Sequence, residues 1–199
     1  MAEPQATPEH LGFTGQTPVP SLALVRRLWE DHGMLDNIRR HSEAVAAVAL
    51  LLCDWLEEAG IYLRRDAVRI GALLHDIAKT PCLGTERRHD LEGQQILTDL
   101  GFPEIGYLVG KHVYLGPEAP LDETMVVNYA DKRVNHEEVV NLNQRWAYIA
   151  DRYGRDDPER LTRIEMGRRR SMEMERTIFQ ALLHLHNPDE IARRYKEKL

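Results

Sequence analysis

At 199 residues, with 43% hydrophobic and 29% charged side chains, the chain has the make-up of a globular domain large enough to bury its own core. A net charge of −6 argues against a general nucleic-acid binder, which carries a basic footprint, and leaves room for a local basic pocket that holds a phosphate. Cys53 and Cys82 make no disulfide framework, no apolar run approaches the roughly eighteen residues of a membrane span, and no charged-then-apolar leader is visible, so a soluble, cytoplasmic protein with no membrane attachment is expected.

In chain order, residues 1–20 are Pro/Gly-rich and read as a flexible tail or a strap over the domain, and residues 21–199 as the domain itself. Ser21 caps a first helix that carries Leu24, Val25, Leu28 and Trp29 and closes at Gly33. A second helix runs from Asp36 or Asn37 to Gly60. Between Ala44 and Leu56 it is apolar on nearly every face, which predicts a central, buried helix. Asp66 opens a third helix with Val68, Ile70, Leu73, Leu74 and Ile77, stopped by Pro81. After a polar passage from Cys82 to Arg88, His89 or Asp90 opens another, with Leu91, Ile96, Leu97 and Leu100 inward and Gly101 at its end. Pro103 suits the first turn of a short helix reaching about His112, and Asp122 starts one through Met125, Val126, Val127, Tyr129 and Ala130. Residues 136–153 look helical, Asp157-Pro158 restarts a long helix to about His186, and Asn187-Pro188 a last one. No period-two stretch stands out, so the fold class predicted is all-α, with no internal repeat.

The histidines carry the chemistry. His10 lies in the tail, His32 at a helix end where a partial positive charge is favourable, and His184 and His186 face different ways on one helix. His136 either begins a helix or serves as a reserve ligand near Asp131. His41, His75, His89 and His112 each sit at or near a helix end, where a side chain can turn into a shared pocket, and Asp76 and Asp131 add carboxylates on two of the helices. Any one of these histidines alone reads as a hydrogen-bonded core residue. Four imidazoles and two aspartates in one helical domain favour a metal site, because a buried His-Asp pair is costly unless its desolvation is compensated.

The order His41, then His75-Asp76, then Asp131 resembles the H…HD…D signature of the HD-domain metal-dependent phosphohydrolases. His75-Asp76-Ile77-Ala78-Lys79 is similar to the HDIG form, with Ala78 in place of its glycine, and the resemblance spans about residues 21–140. His89 and His112 match the two additional histidines of the family's two-metal branch. The resemblance implies an HD-domain helical bundle, with a metal-site core over about 34–135 and added C-terminal helices over 136–199. It implies one or two divalent transition-metal ions, of Fe, Mn, Co or Ni, with Zn or Mg as alternatives. His41, His75 and Asp131 would hold one ion and His89 and His112 the other, with Asp76 bridging, so that a hydroxide held between the ions attacks a phosphoester or phosphoanhydride. Lys79, one turn past Asp76, either reaches the phosphate or meets the helix dipole. Asp76 and Lys79 are thus the candidate catalytic residues.

The partner expected is a small phosphorylated substrate, a nucleotide first among the candidates, and a homodimer is compatible with this reading. Lys111, Lys132 and Arg133 line the phosphate pocket or lie solvated on the surface. Arg168-Arg169-Arg170 reads chiefly as a solvent-facing or intersubunit cluster, and Tyr114 as a loop aromatic that stacks on a base or covers the core. The same six ligands also resemble those of HD-type di-iron oxygenases, and a non-catalytic nucleotide-binding regulatory domain is the third reading. The Gly-Tyr-Pro motif of a cyclic-dinucleotide branch is absent from the sequence.

Overall fold

A computed structural model describes residues 13–154 and 157–197. The elements are α1 (Leu22–Asp31), α2 (Asp36–Glu58), α3 (Arg65–Leu74), α4 (Lys79–Cys82), α5 (His89–Asp99), α6 (Pro103–Gly110), α7 (Glu123–Lys132), β1 (Val134–Asn135), β2 (Glu138–Val139), α8 (Leu142–Tyr153), α9 (Pro158–Ala181) and α10 (Glu190–Glu197). The fold is all α apart from one small antiparallel ladder, in which Val134 pairs with Val139 and Asn135 with Glu138.

The 23-residue α2 is the spine, burying Val45, Val48, Ala49, Leu52 and Leu56 among others. α3 and α7 pack on it and on each other, and α5 and α6 form a tightly packed pair that joins the bundle where α6 meets α3 and α7. α9 lies on α7 and α8, and α10 returns to α2. Caps act where the residue types predict. Ser21, Asp122 and Asp157 accept from the backbone nitrogens of Leu24, Met125 and Arg160, and Asn141 with Gln144 forms a reciprocal capping box at α8.

Close approach of α3, α5 and α6 depends on residues without side chains. A Cβ on Gly93 would lie 2.8 Å from Val109 Cγ1, and one on Gly106 would lie 2.7 Å from the Gln94 carbonyl oxygen. At Gly71 an added Cβ would meet Leu108 at 2.6 Å. This packing corrects the expected face of α5. Asp90, Gly93 and Leu97 point inward, whereas Leu91 and Leu100 are exposed, because the contact selects the small face rather than the apolar one.

Other local expectations also change. α3 ends at Leu74, not at Pro81. From His75 on, i→i−3 hydrogen bonds (Ile77 to Leu74, Lys79 to Asp76) take over, and Pro81 lies inside the short α4. Residues 136–141 are not helical. His136 has φ +56° and turns the chain between β1 and β2, so α8 begins only at Leu142. α9 stops at Ala181, followed by Leu183 and His184 in the left-handed region. Of the expected tail, residues 1–12 lie outside the described residues. Thr17 is buried, and Arg64 donates to the carbonyls of Thr14 and Thr17. Among the described residues, no helix is long and apolar enough to cross a membrane.

Candidate metal centre

The six proposed ligands arrive from five parts of the bundle. His41 comes from the first turns of α2, and His75 and Asp76 from the turn that ends α3. His89 is the first residue of α5, His112 follows the C-cap of α6, and Asp131 lies in the last turn of α7. Their side chains meet at one point. The ring centroids run in a row, His41 to His75 at 5.3 Å, His75 to His112 at 5.0 Å and His112 to His89 at 5.1 Å.

Two groups of donor atoms emerge. His41, His75 and Asp131 place ligand atoms within 4.8 Å of one another, and so do Asp76, His89 and His112. In the first, Asp131 Oδ1 stands 3.0 Å from His41 Nε2 and 3.7 Å from His75 Nε2. In the second, Asp76 Oδ1 stands 3.3 Å from His89 Nε2 and 3.5 Å from His112 Nε2. Asp76 Oδ2 is 3.4 Å from His75 Nε2, so one carboxylate faces both groups.

Backbone carbonyls set the imidazole orientation. Nδ1 of His41 donates to His136 O at 2.8 Å, Nδ1 of His75 to Ala72 O at 2.7 Å, and Nδ1 of His112 to Val109 O at 2.6 Å. A carbonyl only accepts, so Nδ1 holds the proton and, in the neutral ring, Nε2 presents a lone pair inward. His75 Nε2 is fully buried and has no hydrogen-bond partner among the described residues. An unsatisfied buried nitrogen costs about 1–3 kcal/mol. A cation in contact with it removes that cost, and a mixed imidazole–carboxylate set suits a borderline divalent transition metal. The residues present fit such an ion.

The electrostatics agree. Burial by itself would raise the Asp76 carboxyl, but the charges of His75 and Lys79 overcome it and hold the group well below the ordinary range. Asp131 behaves likewise, burial being outweighed by Lys132 and by His41 and His75. Burial lowers His112 below the usual histidine value, whereas at His75 burial is outweighed by Asp76, Asp131 and the Ala72 carbonyl acting together, which raise it. Both carboxylates therefore stay ionised.

Residues that sequence reasoning treated differently have defined places. Lys132 is buried and donates to Asp131 Oδ2 at 2.6 Å and to His112 O at 3.0 Å, which makes it a strut rather than a phosphate clamp or a solvated side chain. Arg133 is also buried, tying the Tyr129 hydroxyl and the Val140 and Pro188 carbonyls together. Asn128 was overlooked. Its Nδ2 donates to the carbonyls of Lys111 and His112, so α7 pins the backbone that carries His112. His136 is exposed, packs on Tyr148 and contributes its carbonyl rather than its ring. Arg168 and Arg169 pair with Glu165, and Arg170 donates to the Leu115 carbonyl.

A cavity of ≈ 280 Å³ opens beside the first group, lined by His41, Asp76, Lys79, Arg145, Tyr148 and Arg152 among others. The α8 residues in that wall were also overlooked. Their signal is a stripe at i, i+3 and i+7, on the face next to that of the buried Leu142 and Trp146.

The HD domain family model matches residues 38–156, which covers α2 to α8 and all six converging side chains. This chain belongs to the HD domain family. The family consists generally of metal-dependent phosphohydrolases, which accords with the His/Asp groups described. An uncharacterized protein of Methanocaldococcus jannaschii is 33% identical over 82 residues, 41% of this chain and 47% of that protein. The chain thus spans about half the length of the curated relative it matches. No solved structure gives a significant match.

Proposed function

We propose that this HD domain protein hydrolyses a phosphoester or phosphoanhydride of a small substrate, with His41, His75 and Asp131 holding one divalent ion, His89 and His112 a second, and Asp76 shared between them. The observation that carries this reading is the position of Asp76. One oxygen faces the His75 side and the other faces His89 and His112, around a buried His75 Nε2 that makes no hydrogen bond among the described residues. Bound divalent ions supply Lewis-acid activation of water and neutralise charge on phosphate oxygens.

The chain's own groups do the rest. The three backbone-anchored imidazoles keep their Nε2 atoms aimed inward before any ion arrives, which lowers the reorganisation needed on binding. Lys79, partly exposed on the cavity side of Asp76, offers its ammonium to a non-bridging phosphate oxygen. Water attacks phosphorus, the bond to the leaving oxygen breaks in line, and inorganic phosphate and an alcohol, or a second phosphate, are the products. Tyr148 and Tyr153 in the cavity wall give a planar organic group a surface to lie on, which makes a nucleotide the first substrate to try.

The test is elemental analysis of anaerobically purified protein, together with phosphate release from a nucleotide panel under Mn²⁺, Co²⁺, Ni²⁺ and Fe²⁺. Bound transition metal and phosphate release, both lost in Asp76→Ala and His75→Ala, are expected. Retention of both in either variant would sink the assignment. Oxygen consumption with bound iron and no phosphate release would transfer the chain to the oxygenase reading.

A further inference from the structure

We infer that Arg145 and Arg152 of α8 form a second anion subsite, so that the substrate carries an anionic group, phosphate or carboxylate, besides the phosphate that is attacked. This deepens the hydrolase reading and rests on it for the position of the attacked phosphate.

Three cations line the cavity beside the candidate metal centre: Lys79, Arg145 and Arg152. Lys79 is already paired, 2.6 Å from Asp76 Oδ2. Arg145 and Arg152 have no carboxylate partner among the described residues. Arg145 Nη1 donates to the neutral Asn135 Oδ1 at 3.0 Å, and Arg152 Nε is 3.3 Å from the Tyr153 hydroxyl. Two uncompensated cations facing one concavity draw anions into it.

Arg145 is also built to receive a ligand. Its Nε is buried and has no acceptor among the described residues, an arrangement that leaves a strong donor unused. The guanidinium stands 6.0 Å from the Tyr148 ring centre, and Asn135 holds the other end, so the fork is oriented before a ligand arrives. Arg152 lies two helical turns further along α8, about 10 Å by the helix rise, and is exposed. Arg145 is therefore the inner donor, next to the reacting phosphate, and Arg152 the outer donor at the mouth. A solvated surface arginine would explain Arg152 taken alone. It does not explain Arg145, whose side chain lines the same cavity as His41 and Asp76 while its buried Nε makes no hydrogen bond among the described residues.

Calorimetric titration of the full-length Mn²⁺-loaded protein tests the assignment with three probes: ethyl phosphate, phosphoglycolate and 1,3-propanediol bisphosphate. Phosphate release is followed in the same samples. At least one doubly anionic probe is expected to bind about ten-fold tighter than ethyl phosphate, and the tighter of the two identifies the second anion. Arg145→Gln should abolish that advantage and Arg152→Gln reduce it, with a smaller loss of ethyl phosphate affinity in each. Equal losses for all three probes, or no loss in either variant, would overturn the subsite. Arg152 is exposed, so its variant reports even where Arg145→Gln perturbs folding. Arginine-dependent discrimination without phosphate release would refute the hydrolase reading alone. Phosphate release without such discrimination would refute the subsite alone.

Discussion

The Lys79 ammonium stands 2.6 Å from Asp76 Oδ2, while the opposite oxygen, Oδ1, faces His89 and His112. An ion on the His75 side would compete with the lysine for the same carboxylate oxygen. Lys79→Met should therefore bind Mn²⁺ at least as tightly as the wild type. It should nevertheless lose about 10²-fold in kcat/KM, near 2.7 kcal/mol of transition-state stabilisation. Metal titration and steady-state kinetics on one preparation check both halves. A variant with full activity would remove Lys79 from the machinery.

His89 is the most exposed of the converging imidazoles and belongs only to the second donor group. His89→Ala should lower metal content from two ions per chain to one, leaving the His41–His75–Asp131 group filled. Asp76→Asn should weaken both sites by about 10–100-fold or more, since one carboxylate serves both. Mass spectrometry of the intact metal-loaded chain distinguishes the two variants.

Helix approach can be tested without touching the site. A side chain at Gly106 would run into the Gln94 carbonyl and Thr98 Oγ1, at 2.7 and 2.9 Å from its Cβ. Gly106→Val should destabilise the fold by about 2 kcal/mol, or ~4–8 °C in Tm for a chain of this size. Because α5 and α6 carry His89 and His112, the second ion should weaken before the first. A melting curve unchanged from the wild type would mean that the two helices can separate freely.

Burial pushes the Cys53 thiol up to about 12. In the unfolded chain it ionises near ~8.5, so between those values the folded state keeps a proton that the unfolded state has lost. Stability must then fall as pH rises through that window, by about 1.4 kcal/mol per pH unit, and by about 2 kcal/mol between pH 8 and 10. Urea denaturation of the wild type and Cys53→Ala at the two pH values isolates this contribution. The alanine variant should lose less stability on the alkaline side, and the wild-type thiol should resist alkylation while folded.

The candidate ligands were legible in the sequence because their residue types are rare in an apolar helical setting and fall at helix ends. Four histidines and two aspartates at 41, 75, 76, 89, 112 and 131 stand out against runs that otherwise read as core. Helix positions followed from period and caps, as at Ser21, Asp122 and Asp157. Readings failed where a long-range contact overrode local preference. The 136–141 segment turns through His136, whose carbonyl accepts from His41, a residue 95 positions earlier. Leu91 and Leu100 face outward because glycines on α5 and α6 set the contact face.

Charge roles show the same divide. Lys132, Arg133, Arg145 and Arg152 all read simply as cations in the sequence, and only packing decides that two are buried struts and two face the cavity. Residue type and helical period thus determined by themselves the all-α class and the inventory of candidate ligands, since both depend on local chemistry and on spacing along one helix. Tertiary structure alone decided which carboxylate oxygen faces which imidazole, which nitrogen is left without a partner, and which arginines line the cavity. Those depend on angles between helices, set by side-chain volume at contacts tens of residues apart.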